Sequence, residues 1–321
     1  MNHARTPLRG VFAATALLLA GCAELLPVDP VPRPPERPAR AAPAPEVEAP
    51  ERPAESAALV SYYTRVQQNL LTQGLLRQDG GGPDTPFDAD RLAQTFRRVA
   101  LFQEYDTSGG GLVQRETASQ LHRWETPVRI EPRFGASVTP DRVTRDRNAM
   151  IGLASRLSRA ARHPVDVVEE GGNFIVYVVR EDERKELGPE LRRLLPGLGS
   201  GALSTVLDLP RQNYCVVFAS DPRDNGAYTR AVAIVRAEHP DLLRLSCLHE
   251  EITQGLGLAN DWPGARPSIF NDDEEFALLT TMDEALLRIL YDARLRPGMT
   301  EAEVAPLLPG LAREAIGGGG S

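Results

Sequence analysis

The chain has 321 residues, of which 44 are acidic and 36 basic, so its net charge is −8 and its pI about 5.3. This acidic balance excludes the basic surface that a nucleic-acid partner requires. The length is sufficient for one sizeable hydrophobic core or two small ones.

The N-terminus has the pattern of a signal peptide. Arg5 and Arg9 precede a short apolar run at 11–20, and the run is too short for a bilayer, which takes roughly 20 apolar residues. Leu19-Ala20-Gly21-Cys22 resembles the bacterial lipobox. The resemblance implies that residues 1–21 are removed and that Cys22 carries a lipid anchor. The alternative is an ordinary secretory signal that happens to contain a cysteine.

The residues after Cys22 indicate where the anchor resides. Ala23 stands where an aspartate would resemble an inner-membrane retention signal, so we expect the outer membrane, with the protein facing the periplasm. Residues 22–56 are rich in proline and alanine and have few large apolar side chains, which predicts a disordered, semi-rigid tether. At the other end, residues 301–321 are predicted to form a short helix and a glycine-rich tail.

Hydrophobic periodicity in the remaining chain predicts helices interleaved with strands. This order indicates an α+β domain with a mixed sheet at 118–300, preceded by a helical segment at 57–105. Helices are predicted at 57–78, 88–105, 148–162, 190–195, 241–256 and 281–291. Strands are predicted at 124–130, 165–168, 174–179, 214–219 and 231–236.

Two cysteines remain once Cys22 is assigned to the anchor. Cys215 and Cys247 form an even pair in a compartment that permits disulfides. We therefore consider a disulfide between them, with two small buried thiols as the alternative.

The segment from 247 to 261 contains the strongest candidate site. On the predicted helix, Glu250 and Gln254 are four residues apart and so share a face. Gly257 would let the chain turn and return Asn260 and Asp261 toward them. His249 and Glu251 complete this candidate polar site. The alternative is a polar solvent face near the start of a helix, where acidic residues are favoured.

The same segment resembles the active-site helix of the metzincin zinc peptidases, in which His-Glu-x-x-His is followed by x-Leu-Gly-Leu and a third histidine. Alignment on Leu256-Gly257-Leu258 places Glu250, Gln254 and Asn260 at the three zinc-ligand positions. Glu251 falls at the position of the general base.

The resemblance extends over roughly 120–294. Ser268-Ile269-Phe270 is similar to the Ser-Ile-Met turn beneath the zinc, with Phe270 in place of methionine. Residues 279–291 resemble the closing helix. The resemblance implies a metzincin-like mixed sheet with an active-site-type helix and a C-terminal helix.

The chain also resembles a family of proteobacterial lipoproteins with no assigned function. The motifs that carry this resemblance are Cys-x-His-Glu-Glu…Gln-x-Leu-Gly-Leu-x-Asn-Asp at 247–261, Pro-Ser-Ile-Phe-Asn-Asp-Asp at 267–273 and Arg-Pro-Gly-Met at 296–299. This resemblance implies a lipoprotein domain and no particular activity.

The departures from the peptidase pattern limit the chemistry. Catalytic zinc takes three protein ligands that usually include histidines, whereas only His249 lies in the motif. No cofactor is therefore expected. Because carboxylate and amide oxygens suit harder divalent cations, such a cation is the alternative.

Three functions remain open. We favour a non-catalytic binding or scaffolding domain on a degenerate peptidase-like fold, with an unknown envelope protein or ligand as its partner. The second is a hydrolase that uses Glu250 and Glu251 with an oxygen-ligated metal. Helical geometry opposes it, because sequence neighbours on a helix do not face each other. The third is a structural network in which Glu250, Gln254 and Asn260 bond to one another and to the loop at 271–273.

Overall fold

A computed structural model describes residues 53–106, 113–271 and 273–317. Cys22, the signal segment and most of the predicted tether lie outside the described residues, so they remain predictions. Within the described part of the chain, no helix is both long enough and apolar enough to cross a membrane.

The described residues form a mixed α+β structure. The helices are α1 (Ala54–Thr72), α2 (Ala89–Ala100), α3 (Pro140–Ala161), α4 (Glu181–Lys185), α5 (Gly188–Leu194), α6 (Ser200–Leu207), α7 (Asp241–Gln254), α8 (Thr281–Leu290), α9 (Glu301–Val304) and α10 (Leu308–Gly317). The strands are β1 (Phe102–Asp106), β2 (Val113–Ala118), β3 (Arg123–Trp124), β4 (Val128–Phe134), β5 (Val165–Val167), β6 (Phe174–Val179), β7 (Cys215–Ser220), β8 (Ala227–Tyr228) and β9 (Arg230–Arg236).

The main sheet has five strands in the order β5-β4-β6-β9-β7. The first four are mutually parallel, and β7 runs antiparallel to β9 at one edge. Strand β6 is buried along its whole length because both faces of the sheet are covered. Phe174 and its alternate neighbours face the larger core, whereas Ile175 and its alternate neighbours face a smaller core formed with α5 and α6.

The helix predicted at 57–78 spans Ala54–Thr72, so it includes the last residues of the predicted tether, and the helix predicted at 148–162 begins at Pro140. Two other predicted elements differ more from the structure. The helix predicted at 88–105 ends at Ala100, because residues from Phe102 onward pair with β2 as an antiparallel hairpin. The strand predicted at 124–130 is divided into β3 and β4. Pro127 lies between them, and it lacks the backbone N–H that a continuous strand would use.

Helix α7 packs on β7, β9 and α3, and its C-terminal end is fixed by buried polar contacts. The Trp124 indole N–H donates to the carbonyl of Gly255 at 2.8 Å, and the Tyr291 hydroxyl donates to the carbonyl of Leu256 at 3.0 Å. Gly257 follows with a φ of +122°, and a Cβ there would clash with the carbonyl of His122. The turn predicted at Gly257 is therefore present, and it requires glycine.

Candidate functional site

A cleft with a volume of about 400 Å³ lies between the edge strand β7 and helix α7. We call it the acidic cleft. Its described lining includes four carboxylates and no lysine, arginine or histidine. The lining residues are Gln212, Asn213, Tyr214, Cys215, Val216, Val217, Ala219, Tyr228, Glu250, Glu251, Gln254, Gly255, Ala259, Asp261 and Glu274.

The α7 wall of the acidic cleft contains most of the candidate site predicted from the sequence. Glu250, Glu251 and Gln254 all line it, and Asp261 returns to it after the turn at Gly257. The side-chain amide of Gln254 donates to a carboxylate oxygen of Asp261 at 3.3 Å. The i, i+4 spacing and the turn therefore bring these side chains together as expected.

Asn260 does not join them. It is buried, its side-chain amide donates to the carbonyl of Arg98 at 2.8 Å, and its backbone N–H donates to the carbonyl of Val99. The expectation that Glu250, Gln254 and Asn260 converge is wrong for Asn260, because the end of α2 offers it unpaired helix carbonyls.

His249 also has a structural role. Its Nδ1 accepts the backbone N–H of Leu279 at 3.0 Å, and the ring is buried. Burial and, to a smaller extent, the nearby Arg156 guanidinium lower the pKa of His249 to about 3. The ring is therefore neutral at physiological pH and holds the segment before α8 against α7.

The two adjacent carboxylates are closer than helical geometry suggested. Oxygens of Glu250 and Glu251 and the sulfur of Cys215 lie within 4.8 Å of one another. The separation that helical geometry predicts for sequence neighbours therefore does not keep these two carboxylates apart. Glu251 is buried and Glu250 half-buried, and both line the cleft.

Cys215 and Cys247 form a disulfide with a Cα–Cα distance of 5.9 Å. This confirms the bridge considered from the sequence. It joins the first residue of β7 to the middle of α7, so it links the two walls of the acidic cleft.

The family assignment rests on the larger part of the chain. Residues 89–310 match the family described as protein of unknown function DUF2927. The chain belongs to the DUF2927 family. No curated protein matches it at a significant level. The matched region begins at α2 and includes the whole acidic cleft, whereas α1 precedes it.

The Ser268–Phe270 turn of the DUF2927 domain is held from α8. The Asp283 carboxylate accepts the Ser268 hydroxyl at 2.5 Å, the Ile269 N–H at 3.3 Å, and the backbone N–H and hydroxyl of Thr280 at 2.7 and 2.8 Å. We call Ser268, Ile269, Thr280 and Asp283 the buried knot. Burial raises the pKa of Asp283, although these hydrogen bonds oppose the rise.

Several cleft residues were not predicted from the sequence, among them the titratable residues Tyr214 and Glu274. Tyr214 and Glu274 line the cleft from segments outside the motif. Burial raises the pKa of the Tyr214 phenol to about 12, and the carboxylate of Glu274 adds to the rise. The disulfide was the available signal, because pairing Cys215 with Cys247 places the residue before Cys215 next to the start of the α7 motif.

The residues at the resemblance's zinc-ligand positions do not fit a zinc ion. Only Glu250 and Gln254 face the cleft, Asn260 is turned toward Arg98, and the nearby Cys215 sulfur is held in a disulfide. A carboxylate and an amide without histidine or thiolate form a poor zinc site.

Proposed function

We propose that this protein is a lipid-anchored component of the bacterial envelope whose DUF2927 domain binds extended, basic polypeptide segments in the acidic cleft without cleaving them. The observation that carries the proposal is the position of β7. It is the edge strand of the main sheet, and it forms one wall of a cleft whose described lining is acidic.

The sheet edge supplies the backbone part of this recognition. An edge strand presents N–H and C=O groups on its outer side, and an extended peptide can add to them as a further strand. Strand β7 begins at Cys215, which the disulfide ties to α7. The edge is therefore held in place before a peptide binds, which reduces the ordering cost of binding.

The carboxylates supply the charge selectivity. Glu250, Glu251, Asp261 and Glu274 surround the cleft, so a lysine or arginine side chain entering it is attracted and an acidic one repelled. Hydrogen bonds to charged groups contribute about 1.5–3 kcal/mol each. A peptide strand added to β7 can therefore use its backbone groups on the β7 wall while its basic side chain pairs with the carboxylates of the cleft.

The peptidase resemblance supports a binding function of this kind. The described residues form a mixed α+β fold in which strands and helices precede α7 and the helix α8 follows it, an arrangement compatible with that resemblance. The departures at Gln254 and Asn260 argue against zinc-dependent cleavage. A non-catalytic binding domain on a degenerate peptidase-like fold is the simplest function consistent with both.

The test uses a defined probe. We expect a blocked peptide of alternating valine and lysine to bind the oxidised protein in isothermal titration calorimetry, and the same peptide with glutamate in place of lysine to show no binding. Glu250→Gln and Asp261→Asn should each weaken binding about tenfold, which corresponds to about 1.4 kcal/mol. Glu170→Gln, at an exposed position near the opposite edge of the sheet, is the matched control and should leave binding unchanged.

A second form of the peptide tests the sheet edge separately. Methylation of alternate backbone nitrogens removes the N–H groups that strand addition requires and keeps every lysine. We expect the methylated peptide to bind at least tenfold more weakly. Equal binding of the two peptides would contradict strand addition, and equal binding by wild type and by Glu250→Gln would contradict the role of the cleft.

The anchor has its own test. In cells, Cys22→Ala should abolish incorporation of labelled palmitate and release the protein from the membrane fraction. Labelling that persists in this variant would overturn the lipoprotein assignment.

A hydrolase remains the second candidate, because the oxygens of Glu250 and Glu251 lie within 4.8 Å of each other. Hydrolysis of the valine–lysine peptide in the presence of calcium, magnesium or manganese would favour it, provided that Glu251→Gln abolishes the cleavage and Glu170→Gln does not. Intact peptide after prolonged incubation with each cation would exclude it for this probe.

A further inference from the structure

One side chain of the acidic cleft changes its chemistry with oxidation state. Cys215 lies on the β7 wall, and its sulfur is within 4.8 Å of oxygens from both Glu250 and Glu251. In the disulfide this sulfur is a poor ligand, whereas a thiolate at the same place would be a strong one.

The two cysteines of the disulfide differ in burial. Cys215 is half-buried and lines the cleft, whereas Cys247 is 1% exposed on the inner face of α7. The Cys247 sulfur lies 3.8 Å from Nδ1 of the buried His239. A reductant entering the cleft therefore reaches the sulfur of Cys215, and Cys247 leaves toward His239.

We propose that the Cys215–Cys247 disulfide gates a divalent-cation site formed by Cys215, Glu250 and Glu251. Reduction by a dithiol opens the site. The S–S bond breaks, two electrons and two protons pass to Cys215 and Cys247, and the dithiol becomes a disulfide. A cation then binds the Cys215 thiolate and the two carboxylates, and the thiol proton is released to solvent.

The donor set determines the class of cation. One thiolate with two carboxylates suits a borderline cation such as Zn²⁺ and disfavours Ca²⁺ and Mg²⁺, which take oxygen ligands alone. Three protein ligands leave a fourth position open to water. This set differs from the one that the peptidase resemblance implies, since Cys215 belongs to β7 and Glu251 stands at the general-base position.

Two cysteine variants provide the test, because both remove the disulfide and only one keeps the ligand. Cys247→Ser leaves Cys215 as a free thiol without any reductant, whereas Cys215→Ser removes it. We expect Cys247→Ser to bind Zn²⁺ at one equivalent, at least tenfold more tightly than Cys215→Ser. With Co²⁺ as the probe, Cys247→Ser should show the thiolate-to-cobalt charge-transfer absorption, and Cys215→Ser should not.

Reduced wild type provides the second measurement. If either cysteine variant fails to fold, this measurement alone tests whether reduction creates the zinc site. Protein treated with a phosphine reductant should gain one Zn²⁺ site that the oxidised protein lacks, and Glu250→Gln with Glu251→Gln should remove it. Equal zinc affinity in the two cysteine variants, or no additional site in reduced wild type, would overturn the proposal.

This inference goes beyond peptide binding and fails separately from it. The peptide experiments use the oxidised protein without metal, and the zinc experiments use reduced protein without peptide. Zinc binding can therefore be lost while peptide binding remains, and the reverse.

Discussion

The acidic cleft and the buried knot contain similar side chains in different surroundings. In the knot, Asp283 is fully buried and accepts hydrogen bonds from three neighbouring residues. In the cleft, Glu250 is half-buried and faces other carboxylates. A carboxylate that accepts several buried hydrogen bonds stabilises the fold, whereas a half-buried one that lines an acidic cleft is placed to meet a cation.

The difference separates structure from function within one motif. His249 and Asn260 belong to the same stretch of sequence as Glu250 and Gln254, yet each is bonded to a backbone group of a neighbouring element. Substitutions in the two regions should therefore affect different measurements: unfolding for the knot and its neighbours, ligand binding for the cleft.

The largest effect is expected at Asp283. Asp283→Ala leaves the buried hydroxyl of Ser268 and the N–H of Thr280 without their acceptor, and each such loss costs about 1–3 kcal/mol. We expect the free energy of unfolding to fall by about 3 to 5 kcal/mol in urea titrations. A loss below about 1 kcal/mol would show that the knot does not hold the turn.

The pH dependence of stability tests His249. Its pKa is about 3 in the folded protein and about 6.5 in the unfolded chain. Because the folded pKa is the lower one, the unfolded chain takes up the proton at a higher pH than the folded protein does. The contribution of neutral His249 to the free energy of unfolding is therefore fully present above about pH 6.5 and is lost as the pH falls toward 3. Between pH 7 and pH 5 this residue should reduce the free energy of unfolding by about 2 kcal/mol.

His249→Gln is the matched variant, since its side-chain oxygen can still accept the N–H of Leu279 and does not titrate. In urea titrations, wild type should lose about 2 kcal/mol of unfolding free energy relative to His249→Gln as the pH falls from 7 to 5. Parallel stability curves for the two proteins would contradict the assignment of a buried, neutral ring.

Much of the fold could be predicted from the sequence because its strands are unusually apolar. The runs at 174–179 and 231–236 correspond to β6 and β9, which are buried on both faces. The hairpin from Phe102 onward could not be predicted in this way, because its pairing with β2 depends on a partner strand that competes with the local helical pattern.

The site shows the same limit. The i, i+4 pair Glu250 and Gln254 follows from helix geometry alone, and Asp261 follows from the turn at Gly257. Asn260 could not be placed, because its partner carbonyl belongs to Arg98, far away in the sequence. The β7 wall required a long-range constraint, which only the cysteine pair carried.

Asn260→Ala should have an intermediate effect. It leaves the Arg98 carbonyl without the amide that donates to it at 2.8 Å, so we expect the free energy of unfolding to fall by about 1–2 kcal/mol. Binding of the valine–lysine peptide should not change, because the side chain is turned away from the cleft. Weaker peptide binding in a fully folded Asn260→Ala protein would show that the Asn260 side chain contributes to the binding site.

The same chemical change, from carboxylate to amide, can be made in the acidic cleft and in the buried knot. It gives the smallest expected effect on stability and compares the two regions most directly. Glu250→Gln and Asp283→Asn each replace a carboxylate by an amide of the same shape. In the buried knot the oxygen of the new amide can still accept, but its NH2 group faces a donor and cannot, so Asp283→Asn should lower the free energy of unfolding by about 1–3 kcal/mol. At the half-buried cleft surface, Glu250→Gln removes a charge that faces other carboxylates, so stability should change by less than about 0.5 kcal/mol.

Peptide binding should respond in the opposite order. Glu250→Gln should bind the peptide more weakly, and Asp283→Asn should bind it as wild type does under conditions where the variant is folded. If both variants lose stability equally, Glu250 belongs to the structural network, and the acidic cleft has no separate role for it.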